Sequence, residues 1–241
     1  LLAYKIEGLI ILSHTIPSLE LSRLGIPIVT IEREDKYVCS VNTDNYMGGY
    51  QAAGLLASHR CDILIHINYI NSPANPEVPA YGRVEGFLDF CKENRIQNEL
   101  ILKEMGNTYE SIEHYLTDIL DDILQRYSGQ KKGLFISNDT QANVLVNLLV
   151  RRYGRFPEDF FLVGFDNSPI SREAVIPIST VGQQIDKIAF EAVDLLVEQM
   201  NERKKRRPVP LEAPIHKVVT PVLFRRGTTE KETVPGRLSE S

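Results

Sequence analysis

Three short runs of β-branched and aliphatic residues stop abruptly at polar side chains, and this pattern narrows the possible folds more than any other feature. Pro27-Ile-Val-Thr-Ile31 gives way to Glu32-Arg33, Leu134-Phe-Ile-Ser137 to Asn138-Asp139, and Phe161-Leu-Val163 to Gly164-Phe-Asp166-Asn167. Continuous apolar runs of this length are what parallel strands buried on both faces require. In open α/β sheets the ligand crevice lies at the carboxyl ends of the strands. Acids, an amide and a guanidinium grouped at such ends therefore point to a pocket for a polyhydroxylated ligand, whose hydroxyls donate and accept at once.

The rest of the chain supports this reading. Apolar strands are expected at Gly8–Leu12, Pro27–Ile31, Ile63–Ile67, Leu100–Leu102, Gly133–Ser137 and Phe160–Val163. Helices are expected from near Tyr46 to Ala57 with Asp44 or Asn45 as cap, and at Tyr81–Glu93, Ser111–Tyr127, the stretch capped by Asp139 and ended by Arg152, and Ile185–Arg203. His216–Arg225 alternates like one final strand, and the residues beyond Gly227 turn polar and are expected to fray. A β-α-β-α succession of this kind predicts parallel sheet with helices on both faces. Leu1 reads as the end of a helix directly before a buried strand, so a preceding unit is expected upstream.

Composition excludes several classes. A net charge of −5 argues against nucleic-acid binding by this chain's own electrostatics. The densest basic run, Lys204-Lys-Arg-Arg207, suits the negative end of a helix dipole. No stretch of about 18 apolar residues exists for a membrane span. Cys39, Cys61 and Cys91 are odd in number and widely spaced, which fits a reducing cytoplasm better than a disulfide framework. His14, His59, His66, His114 and His216 show no metal-ligand spacing, and no metal or cofactor is expected. The chain contains no phosphate-binding loop and no nucleophile elbow, and Asn45-Tyr-Met-Gly-Gly49 is not a dinucleotide fingerprint. An enzyme is not expected, although Asp139 and Asp166 follow successive apolar runs.

Arg83, in Tyr-Gly-Arg-Val-Glu-Gly-Phe, opens a helix where the dipole opposes a cation. Aimed into a crevice it would bind vicinal hydroxyls bidentately; paired with Glu85 or Asp89 it would be an ordinary surface arginine. Asp166 is either a ligand acceptor or a turn aspartate bonded to its own backbone. Gln183 is weak evidence by itself.

Taken in order, Leu1–Leu12, Gly25–Arg33, Val41–Ala53 with His59-Arg60, Gly82–Phe87 and Ser137–Gln183 resemble the effector-binding core of the lac-repressor family of transcriptional regulators. The closing Pro221-Val-Leu-Phe-Arg225-Arg-Gly-Thr-Thr229 is similar to that family's C-terminal strand. The resemblance implies a periplasmic-binding-protein-like type I α/β fold. Its two doubly wound parallel-sheet lobes would be joined by three crossovers, with the ligand cleft between them. Residues 1–67 with 182–211 would form one lobe, 68–181 with 212–229 the other, and 230–241 a frayed tail. The site carried over is Glu32, Arg33, Arg83 from the second lobe, Asn138, Asp166 and Gln183, with Tyr109 near Asn107 as the available aromatic wall. Ser58-His59-Arg60 departs from the family's usual Gly-His-Arg. The implied function is sensing of a small polar effector, a neutral sugar, by a cytoplasmic homodimer. Operator DNA would be bound through a headpiece outside this chain. A solute-binding protein of a sugar transporter is the alternative on the same fold, and a hydrolase or transferase using Asp166 a more distant one.

Overall fold

The computed structural model describes residues 6–13, 15–33, 36–69, 81–103, 108–207, 209 and 211–230. Contacts divide the chain into two units, Leu1–Gly49 with Pro73–Gly86 and Gln183–Val222, and Tyr50–Ser72 with Phe87–Gly182 and Leu223–Ser241. Elements are numbered in chain order.

The first unit is built on a four-stranded sheet of order β1 (Leu9–Ile11), β2 (Ile28–Ile31), β3 (Cys39–Thr43), β9 (His216–Val219), paired in parallel throughout. One face is covered by α7 (Ile185–Lys204), whose Ile188, Ala192 and Leu195 recur at helical spacing and pack with Val29, Val41 and Val219. The other face holds Ile28 and Val38 against Leu21 of the short α1 (Ser18–Ser22). Successive residues of β2 thus point into different cores, as a strand's period of two dictates.

The second unit carries a six-stranded sheet of order β10 (Val222–Phe224), β8 (Ser179–Gly182), β7 (Phe160–Asp166), β6 (Lys132–Ile136), β4 (Ile63–Tyr69), β5 (Asn98–Lys103), with β8 through β5 parallel. Its apolar runs are explained by helices on both faces. Ile63, Ile65, Ile67, Leu134, Ile136, Phe160 and Leu162 pack against α4 (Tyr109–Arg126) and α5 (Asp139–Tyr153). The alternate residues Leu64, Phe135, Phe161, Val163 and Phe165 pack against α2 (Asn45–Ser58) and α3 (Gly82–Glu93). His66 is fully buried in this second core, stacked on Phe135 at 4.3 Å with Nδ1 2.9 Å from the Phe135 carbonyl, which makes it structural. The remaining helix, α6 (Ile170–Glu173), is a single turn.

Helix termini carry their own chemistry. Asp44 Oδ1 accepts from the Met47 amide at 2.9 Å and so caps α2. Thr108 and Ser111 form a reciprocal capping box on α4. Gly154, at φ 72°, ends α5 in the left-handed conformation that only glycine adopts without penalty.

The structure corrects several expectations. Asn138, not Asp139, caps α5, accepting from the Gln141 amide at 2.9 Å. The expected single strand over His216–Arg225 is two, β9 in the first sheet and β10 in the second, separated at Thr220-Pro221. The lobe boundaries shift accordingly. The chain passes from one sheet to the other after β3, after β8 and after β9, so Ile63–Tyr69 pairs in the second sheet and His216–Val219 in the first. An apolar run announces burial but not which sheet it will join. The expectations for Leu1 and for fraying of residues 231–241 fall outside the described residues.

Candidate functional site

In the first unit the nominated Glu32 and Arg33 follow β2 and Arg83 lies in the first turn of α3, beside supporting residues at the end of β3 and the start of α2. Glu32 follows β2 with φ 53°, a left-handed conformation that costs a non-glycine residue energy and persists only where the surroundings enforce it. Here Glu32 Oε1 accepts from both the amide and the hydroxyl of Thr43, each at 2.6 Å. Arg33 is 8% exposed. Its amide donates to Asn42 Oδ1 at 2.9 Å and its guanidinium Nη1 to the Ser13 carbonyl at 3.0 Å. Arg83, expected on the second lobe, groups with the first unit instead and is 9% exposed. Its Nε donates to Asn45 Oδ1 at 2.8 Å, so the pairing with Glu85 or Asp89 is not needed to explain its place. Gln183 opens the last segment of this unit, directly after β8.

In the second unit β6 and β7 are adjacent and parallel; Asn138 follows β6 as the cap of α5, and Asp166 ends β7. Strand order reverses at β4, whose neighbours are β5 on one side and β6 on the other, and such a switch point is where open α/β sheets bind ligands. Asp166 and Asn167 have φ 105° and 55°, two consecutive left-handed residues at one strand end. They are held from behind. Asn167 Oδ1 accepts from Arg226 Nη2 at 2.6 Å, and Arg226 Nη1 reaches Ser171 Oγ at 3.1 Å and the Ile178 carbonyl at 2.9 Å. Burial, then the neighbouring Arg172 charge, lowers the Arg226 pKa, with Asp139 opposing. Asp139 is fully buried and accepts from the Ser168 amide at 2.8 Å, Ser168 Oγ at 3.1 Å and Thr180 Oγ1 at 2.6 Å. Burial raises its carboxyl above the ordinary range despite those three bonds. Asp139 Oδ1 also lies 2.4 Å from where a Cβ on Gly164 would sit, so only glycine fits there.

The structure thus links Glu32 and Arg83 through Thr43 and Asn45, and ties Asn138 to the Asp166 turn through its neighbour Asp139. Of the six non-glycine residues with positive φ among the described residues, Glu32, Asp166, Asn167 and Gln184 end strands or follow them within two residues, while Arg60 and Arg95 follow helices. Tyr109, the expected wall, is 51% exposed as the first residue of α4, and Asn107 lies outside the described residues. The supporting roles of Thr43, Asn45, Asn167 and Arg226 escaped the sequence reading, which took Asn45 only as an alternative cap of α2. Their only signal was the polar content of motifs that matched no catalytic pattern. Among the described residues no cluster of metal-ligating side chains occurs.

Comparison with known proteins bears on these features. Residues 53–226 match the family model described as periplasmic binding protein-like domain. The chain is 24% identical to the ribose operon repressor of Halalkalibacterium halodurans over 92% of its own length and 62% of that protein's. It is also 24% identical to the HTH-type transcriptional repressor PurR of Pasteurella multocida, over 87% of its length and 62% of that protein's. It therefore spans less than two thirds of these relatives. In structure it is similar to a LacI family transcriptional regulator from Enterococcus faecalis solved with bound ribose, with a TM-score of 0.70, 21% identity, and coverage of 92% of this chain and 76% of that one. The chain belongs to the periplasmic binding protein-like domain family, and what it covers is the effector-binding core of lac-repressor-type regulators.

Proposed function

We propose that this chain is the ligand-sensing core of a transcriptional regulator and binds a small neutral sugar without turning it over. The observation that carries the reading is the mixed polar set at the strand ends, with Glu32 and Asp166 on left-handed backbone as acceptors and the buried Arg33 and Arg83 as donors. Asn138 and Gln183 add amides that can do both. Sugar hydroxyls suit such a set, whereas a phosphate ester would meet Glu32 and Asp166 as like charges. Relatives that are a ribose operon repressor and a ribose-bound regulator support a sugar over other polar effectors. Because its relatives are repressors rather than enzymes, effector binding here would modulate operator DNA through a headpiece, in a cytoplasmic homodimer.

A thermal-shift panel of D-ribose, cellobiose, ribose 5-phosphate and hypoxanthine tests this. A ligand at a hundredfold excess over its Kd stabilises by about 2.7 kcal/mol, which is readily seen. Stabilisation by a neutral sugar is expected; stabilisation by the phosphate ester or the purine alone would overturn the sugar assignment.

A further inference from the structure

We propose that Asn45 is a positioning residue that fixes the Arg83 guanidinium and couples it to Glu32, a role that rests on reading both as effector ligands. Asn45 is 4% exposed at the start of α2, and its two amide atoms work in opposite directions. Oδ1 accepts from Arg83 Nε at 2.8 Å, and Nδ2 donates to the Thr43 carbonyl at 3.2 Å. Thr43 then gives its amide and hydroxyl to Glu32 Oε1. The result is one continuous path of hydrogen bonds from a nominated acid to a nominated guanidinium. Of the small side chains only asparagine accepts at one end and donates at the other; aspartate can only accept.

Backbone geometry enforces the same contact. A Cβ on Gly49 would lie 2.0 Å from the Arg83 carbonyl oxygen, and one on Gly82 would lie 3.2 Å from the Tyr46 amide and 3.3 Å from Asn45 Cβ. The two glycines let the first turns of α2 and α3 meet at van der Waals distance, which presents Asn45 to Arg83. A bond at Nε fixes the plane of the guanidinium fork, and bidentate contact to vicinal hydroxyls depends on that plane. It also compensates a cation placed where the α3 dipole disfavours one.

The test is a double-mutant cycle read by calorimetry with D-ribose as probe. Asn45→Ala is expected to weaken D-ribose roughly tenfold, the loss of one hydrogen bond to a charged group. Asn45→Asp, which keeps the acceptor for Nε but loses the donor to the Thr43 carbonyl, should recover only part of that loss. On an Arg83→Ala background, Asn45→Ala should add nothing. Additive losses would show that Asn45 acts independently of Arg83 and would overturn the proposal while leaving the effector reading intact. An Arg83→Ala variant with unchanged affinity would remove Arg83 from the site and the proposal with it. A readout that needs no ligand is the Arg83 Nε–H resonance. It should exchange slowly in the wild type and in Asn45→Asp and rapidly in Asn45→Ala, and no change in Asn45→Ala would overturn the proposal even if D-ribose does not bind. Asn45→Ser, too short to reach Nε, serves if the alanine variant does not fold.

Discussion

Asp139 and Asp166 lie at the ends of neighbouring strands in different surroundings. Asp139 is spent inside the protein, accepting three bonds that hold the Ser168 turn to β8. Since burial raises its folded pKa above the ordinary value of 3.8, its contribution to stability is full below that value and is lost as pH rises through the folded pKa. The stability gap of wild type over Asp139→Asn should therefore widen as pH falls from neutral toward 4, in denaturant melts at matched ionic strength. A gap that narrows would show that the hydrogen bonds outweigh desolvation. Asp166, only partly buried on left-handed backbone, is the one of the two proposed as a ligand acceptor. Asp166→Asn keeps the shape and the tolerance for positive φ but removes the charge. One charge-assisted bond contributes about 1.5–3 kcal/mol, so sugar affinity should fall roughly ten- to a hundredfold with an unchanged melting curve. Undiminished affinity by calorimetry would exclude Asp166 from the site.

At the scale of elements, legibility followed chemistry. β4, β6 and β7 were readable because burial on both faces demands unbroken apolar runs, and α7 because its inner residues recur at helical spacing. β3 was not, because Cys-Ser-Val-Asn-Thr looks polar although all five residues are buried. Its polarity is used internally. Ser40 Oγ lies 2.8 Å from His216 Nδ1, Asn42 receives the Arg33 amide, and Thr43 binds Glu32. The six nominated site residues came from polar side chains at strand and helix ends joined to a family pattern, but the bonds that support them, Asn45 to Arg83 and Arg226 to Asn167 above all, join residues far apart in sequence and so left no local trace. Two glycines of α2 make the point testable. Gly49→Ala places a Cβ against the Arg83 backbone and should destabilise by about 1–3 kcal/mol, the usual range for overpacking. Gly54→Ala meets only Phe90 at an ordinary 3.4 Å and should be neutral or gain up to about 1 kcal/mol of helix propensity. Equal effects in chemical denaturation would contradict the close approach at Gly49.

For the molecule as a whole, charge opposes DNA contact by this chain. The chain carries 27 basic and 32 acidic residues, and its densest cationic run lies at the carboxyl end of α7. Two members of that run are already paired, Lys204 with Glu7 at 2.6 Å and Lys205 with Glu202. Non-specific DNA binding draws nearly all its energy from neutralising phosphates and releasing counterions, so it needs several cations on one surface. An excess of acid over base opposes even the first encounter. This chain alone should therefore fail to retard a random-sequence duplex in a gel-shift assay at about 10 µM protein and roughly 0.1 M salt, conditions under which dedicated DNA-binding proteins already associate without specificity. Sugar in the buffer should make no difference to that result. Retardation at low micromolar concentration that weakens steeply with added salt would show that this chain itself grips the phosphate backbone, and the proposed division of labour between sensing core and headpiece would have to be redrawn.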